Sequence, residues 1–135
     1  MHSLTFPLLH SYSGQAAISI PLTLVASPTS HVDLLAKLDT GSTYCIFDRN
    51  YSNLLGLDLY SGVPQRIRAA TGGFQTYGHE LTVSVFDLEW QAMVYFAERE
   101  SLALNVLGRR GFLDRLRIGV VDYDEKLYLG LYGQE

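Results

Sequence analysis

Apolar and polar residues alternate through the first part of the chain. Leu4, Phe6 and Leu8 alternate with Thr5 and Pro7, and the stretch from Ala16 to Val25 alternates again between Gly14 and the turn-rich Ser27-Pro28-Thr29-Ser30. A period of two puts one set of side chains on each face of a pleated strand, so both segments read as strands. Val32 to Leu38 is a further apolar run, and it stops abruptly at Asp39-Thr40-Gly41-Ser42 before Tyr44 to Phe47 resumes. Asp48 to Leu57 has the look of a short helix, with Asp48 to cap its start and Gly56 its end. Val63 to Ala70 and Tyr77 to Phe86 flank Thr71-Gly72-Gly73-Phe74-Gln75, a hairpin with a glycine-rich tip. Leu88 to Ala97 and Val106-Leu107 follow as strands. Phe112 and Leu116 are four apart, which predicts a one-faced helix over Gly111 to Leu116. Arg117 to Val121 and Lys126 to Leu131 are closing strands around Asp122-Tyr123-Asp124-Glu125. About nine short strands and two short helices predict an all-β, barrel-like domain.

Length and composition narrow the functional classes. The 135 residues fit one domain, 1–135, with no linker, low-complexity tract or repeat. A net charge of −4 disfavours nucleic acid, whose binders carry a basic patch. The single cysteine, Cys45, excludes an internal disulfide and a cysteine-based zinc site, and its apolar neighbours suggest a buried, inert thiol. His2, His10, His31 and His79 lack metal-ligand spacing, so no metal and no cofactor is expected. The start Met-His-Ser-Leu-Thr-Phe-Pro lacks a basic, then apolar, leader, and no apolar run nears the ~20 residues that span a bilayer. The expectation is a soluble cytoplasmic protein with no membrane contact.

The candidate chemistry lies in Leu38-Asp39-Thr40-Gly41-Ser42. An apolar strand runs directly into a carboxylate, whose ionisation is costly there without compensating partners. Thr40 and Ser42 offer hydroxyls to hold it, and Gly41 permits positive φ or a close approach of another backbone. The same tripeptide also makes a good Asx-type turn, so on its own it leaves catalysis and a plain turn both open. Downstream come the Gly72-Gly73 hairpin and then Asn105-Val106-Leu107-Gly108-Arg109-Arg110-Gly111-Phe112.

That order resembles the retropepsin (retroviral-type) aspartic proteases, and in particular their bacterial single-domain members, from about Ile18 to Leu131. The resemblance implies a closed, barrel-like all-β fold with a glycine-rich flap and one or two short helices. It implies that Asp39 is the catalytic aspartate, that the Thr40 hydroxyl crosses a dimer axis, and that the Gly41 carbonyl holds substrate backbone. Ser42 resembles a neighbour that hydrogen-bonds the aspartate. Gly72 and Gly73 resemble the flap tip, where Phe74 either lines a pocket or covers the tip. Val106 and Leu107 resemble the apolar pair beneath the active-site loop, followed by Gly108 and Arg109. Two positions depart from the pattern. Thr43 stands where retroviral relatives have an acid that pairs with the arginine after Leu-Gly, and Arg110 stands where they often have Asp or Asn. Arg109 and Arg110 are therefore open to a second reading, as solvated residues at a helix start.

With one Asp-Thr-Gly per chain, the resemblance implies a homodimer. Two Asp39 carboxylates would share one proton, activate a water and cut an extended peptide or protein substrate. A catalytically silent module that binds peptides or only dimerises is the alternative. The Leu127–Tyr132 segment has two readings, an intersubunit strand or an internal core strand.

Overall fold

A computed structural model describes residues 1–70 and 72–133. It contains ten strands, one α-helix and two single-turn 3-10 segments among those residues. The strands are β1 (Leu8–Ser11), β2 (Ser19–Ser27), β3 (Ser30–Leu38), β4 (Ile46–Phe47), β5 (Val63–Ala69), β6 (Gly72–Val85), β7 (Leu88–Ala97), β8 (Val106–Leu107), β9 (Leu116–Val121) and β10 (Lys126–Leu131). The helix, α1, is Arg49–Leu54.

The alternation in the sequence becomes the inside and outside of a barrel. Ile20, Leu22 and Leu24 of β2 are buried, as are Leu34 and Ala36 of β3 and Leu81, Val83 and Val85 of β6, while their neighbours along each strand are less covered. The large sheet runs β2-β3-β8-β4-β7-β6-β5, and β2 pairs with β6 as well, through Thr23↔Ser84 to Val25↔Thr82. That last pairing closes six strands into a barrel and leaves β5 outside it. Closure removes free edges, and the enclosed side chains fill the interior. Phe47, Phe96 and Phe112 have no exposed surface, and each such burial stabilises the fold by about 1.5–3 kcal/mol.

β6 belongs to two structures at once. Its first half pairs with β5 from Ala69↔Gly72 to Val63↔Gly78, and its second half pairs with β7 from Thr76↔Ala97 to Val85↔Leu88. The β5–β6 hairpin is therefore an extension of a barrel strand. Thr71, which the sequence places at its tip, lies outside the described residues.

Two expectations change, and one pair of open readings is resolved. Residues 1–7 are not a strand, and β1 begins only at Leu8; Pro7 has no N–H to give to a ladder. Gly111–Arg115 is a run of turns, not a helix. Gly111 has φ +98°, far from helical geometry, and the Leu113 and Asp114 N–H groups reach back five residues to Gly108 O and Arg109 O. Finally, β10 lies in the middle of a second sheet, β1-β10-β9, with Leu127 and Leu129 fully buried. Both its edges are occupied, so the internal-strand reading of this segment holds. The helix expectation at Asp48 is met: Asp48 accepts from Asn50 N at 2.9 Å, and Gly56, at φ +73°, ends the helix. No helix among the described residues is long and apolar enough to cross a membrane.

Candidate active site

The Asp39 loop is held by a short strand that arrives from far along the sequence. β8 inserts between β3 and β4, parallel to β3 through Lys37↔Val106 and Leu38↔Leu107, and antiparallel to β4 at Ile46↔Val106. Val106 and Leu107 are buried, so the apolar pair lies beneath the loop. Asp39 N–H then donates to Leu107 O at 2.9 Å, which fixes the aspartate where β3 ends.

Gly108 continues this contact. A Cβ at Gly108 would stand 2.3 Å from Tyr44 O and 2.6 Å from Ser42 O, so only glycine lets the two backbones cross here. Beyond it, Arg109 N–H donates to Ser42 O at 2.8 Å and Arg110 N–H to Thr43 O at 2.9 Å. Cys45 lies under the crossing. Its thiol donates to Arg110 O and accepts from Gly108 N–H, each at 3.4 Å. Burial pushes that thiol up to about 12, so it stays protonated and weakly nucleophilic at neutral pH. The expectation of an inert cysteine agrees with this, though its part in joining the two segments was not legible.

Within the loop, Asp39 is half-buried and its Oδ1 accepts from Gly41 N–H at 2.9 Å. This is the Asx-type bond, so the turn reading and the carboxylate-fixing reading describe one geometry. Gly41 does not use positive φ. A Cβ there would stand 3.3 Å from the Asp39 carboxylate, a tight contact. Thr40 is exposed, and its hydroxyl makes no hydrogen bond among the described residues. Ser42 differs from expectation: its hydroxyl donates to Tyr44 O at 2.7 Å and not to Asp39. The nearby carbonyl lies within the same turn and takes the one proton the hydroxyl has to give.

At the hairpin, Gly72 pairs with Ala69 and Gly73 with Arg68, so both lie in strand β6 at its first residues. Gly72, at φ +124°, needs glycine. Phe74 is half-buried opposite Ile67, on the same face as Gln65 and the buried Thr76. Around the Arg109-Arg110 segment, a cavity of about 480 Å³ is lined by Thr43, Arg109, Arg110, Leu113 and Asp114. A second, of about 360 Å³, includes Tyr44, Gln65, Tyr95 and Arg110. Arg109 and Arg110 are both exposed, and neither begins a helix.

One supporting residue escaped the sequence reading. Asn105 O accepts from Lys37 N–H at 3.0 Å, and Asn105 Oδ1 accepts from Asp48 N–H at 3.1 Å. It therefore joins β3, β8 and the start of α1. An asparagine directly before an apolar pair was the only signal, and its partners lie too far away in sequence to be read.

No protein-family model and no curated protein sequence matches the chain. Among solved structures it is similar to EIAV protease, solved with a bound inhibitor. The two chains share 16% identity at a TM-score of 0.56, over 74% of this chain and 88% of that one. At that identity the likeness bears on the fold: the chain has an all-β, retropepsin-like fold.

Proposed function

We propose that the chain is an aspartic endopeptidase that acts as a homodimer, with Asp39 from each copy forming the catalytic pair. The observation that carries this reading is the Asp39 loop itself. A carboxylate stands at the end of a barrel strand, fixed by Gly41 N–H at 2.9 Å, with its backbone tied to Leu107 at 2.9 Å and the Thr40 hydroxyl left unbonded beside it. The other oxygen of the Asp39 carboxylate takes no hydrogen bond among the described residues, and Thr40 and Gly41 beside it are exposed.

The chemistry needs two such carboxylates. At a separation of about 3 Å they cannot both ionise, so the pair holds one proton. The ionised member takes a proton from water, and the protonated member donates a hydrogen bond to the scissile carbonyl oxygen. Water attacks the carbonyl carbon, and no covalent bond to the enzyme forms. The pair titrates as a unit, so activity peaks in the pH range where a single proton is held.

One chain supplies one Asp-Thr-Gly, and a twofold partner supplies the other. The free Thr40 hydroxyl suits a contact across such an axis. β10 has no edge to offer a partner, but β1 and β9 are both edge strands of this sheet among the described residues, so a second copy has either edge to add to. The β5–β6 hairpin would act as the flap, closing over an extended peptide whose backbone pairs with strand edges.

Asp39→Asn tests the reading. The fold should survive, since Asn can still accept from Gly41 N–H, while pepstatin-sensitive cleavage of denatured protein at acidic to neutral pH should be lost. If purified wild-type chain binds peptides without ever cutting them, the silent-module reading replaces this one.

A further inference from the structure

We infer that this site selects substrates bearing an acidic side chain, read by Arg109 and Arg110 from the cavities beside the Asp39 loop; the inference rests on the endopeptidase reading. The chain as a whole is acidic, with 10 Lys and Arg against 14 Asp and Glu. Yet two adjacent arginines stand next to the candidate site, both exposed. Their backbones are pinned to Ser42 and Thr43 at 2.8 and 2.9 Å, so their position relative to Asp39 is set by the loop itself. Their guanidinium groups make no hydrogen bond and no ion pair among the described residues.

The charges nearby are already engaged. Asp114 accepts from Gly111 N–H at 2.9 Å and lies 3.5 Å from Arg115, whose guanidinium also donates to Gln91 O at 2.6 Å. Thr43, next along the loop, carries no charge to offer. Two unpaired guanidinium groups therefore line a cavity of about 480 Å³. Arg110 also lines the cavity of about 360 Å³ that reaches Gln65 on β5 and Tyr44 after the loop. That second cavity lies between β5 of the hairpin and the residue that follows the site loop, and an extended peptide held by the hairpin over the loop would pass it. A guanidinium presents donors in a planar fork that matches a carboxylate. Twofold symmetry places one such pair on each side of the scissile bond, so the preference should appear at two positions.

The test begins with wild-type chain and a peptide mixture of natural composition, with cleavage sites read by mass spectrometry. Asp and Glu should be enriched at one outer position on each side of the cut, and the double variant Arg109→Gln, Arg110→Gln should lose that enrichment. Cleavage with no acidic enrichment, or enrichment unchanged in the double variant, overturns the inference. Absence of all cleavage counts against the endopeptidase reading, and a second arm then decides the cavity alone. The Asp39→Asn chain is offered an array of extended decapeptides with Glu, Gln or Lys at each position in turn. Glu should be retained about fivefold better than Gln at two positions, and this margin should shrink in high salt. Equal retention of Glu and Gln overturns the inference.

Discussion

Gly108 approaches the site loop more closely than any side chain would permit. With a Cβ placed 2.3 Å from Tyr44 O, Gly108→Ala must push the two backbones apart. The expected cost is about 1–3 kcal/mol, read from urea unfolding, together with a loss of any activity that depends on the loop. Ser42→Ala should be milder, about 1 kcal/mol, because it removes one hydrogen bond to Tyr44 O and leaves the Asp39–Gly41 bond intact. Cys45 gives a pH signature. Its ordinary value near 9 rises to about 12 in the fold, so above pH 9 the unfolded chain loses a proton that the folded chain keeps. Stability from this group is therefore complete below pH 9 and declines as pH rises toward 12, by at most about 1.4 kcal/mol per pH unit. The stability difference between wild type and Cys45→Ala should shrink between pH 8 and pH 10. At this scale the sequence revealed which residues matter better than what each one touches. Asp39, Gly41 and Gly108 could be singled out from their order along the chain. The hydroxyl of Ser42 and the thiol of Cys45 find partners that only the folded crossing creates.

Strands were legible wherever one face is buried, because a period of two is the direct consequence of a half-buried pleat. Leu88–Ala97 and Lys126–Leu131 match their sequence bounds for that reason. The failures have a common cause. Phe112 and Leu116 are spaced as in a helix, but Phe112 is buried in the turns that follow Gly111 at φ +98°, and Leu116 is buried as the first residue of β9. Residues 4–8 alternate, yet Phe6 packs on Tyr128 from outside the sheet, with ring centres 6.0 Å apart. Spacing reports burial, and burial does not require regular structure. The long strand β6 makes a stronger element-scale claim, since it carries both the hairpin and the barrel closure. A Cβ at Gly78, where these halves meet, would stand 2.7 Å from the Tyr95 ring and 2.9 Å from Met93 Sδ. Gly78→Val should therefore destabilise the whole barrel by about 1–3 kcal/mol and speed amide exchange in both halves of β6 together. Faster exchange confined to the hairpin would mean that the two halves open independently.

For the whole molecule, the order of motifs pointed to the fold before any contact was visible, but the closure did not follow from it. Pairing of β2 with both β3 and β6 is a long-range event that leaves no trace in local periodicity. The same holds for β10, whose apolar run suits an internal strand and an intersubunit strand equally until β1 and β9 are seen on its two edges. What remains is the claim that the working unit is two chains with one Asp39 each. Mixing decides it most directly. A fixed amount of wild-type chain is equilibrated with increasing Asp39→Asn chain, and peptide cleavage is measured. If each site needs both aspartates, an equal amount of the variant should halve the activity and a ninefold excess should leave about a tenth, as wild-type chains are drawn into inactive mixed dimers. Cleavage that stays constant across the series would show that one chain acts alone and would contradict the shared pair.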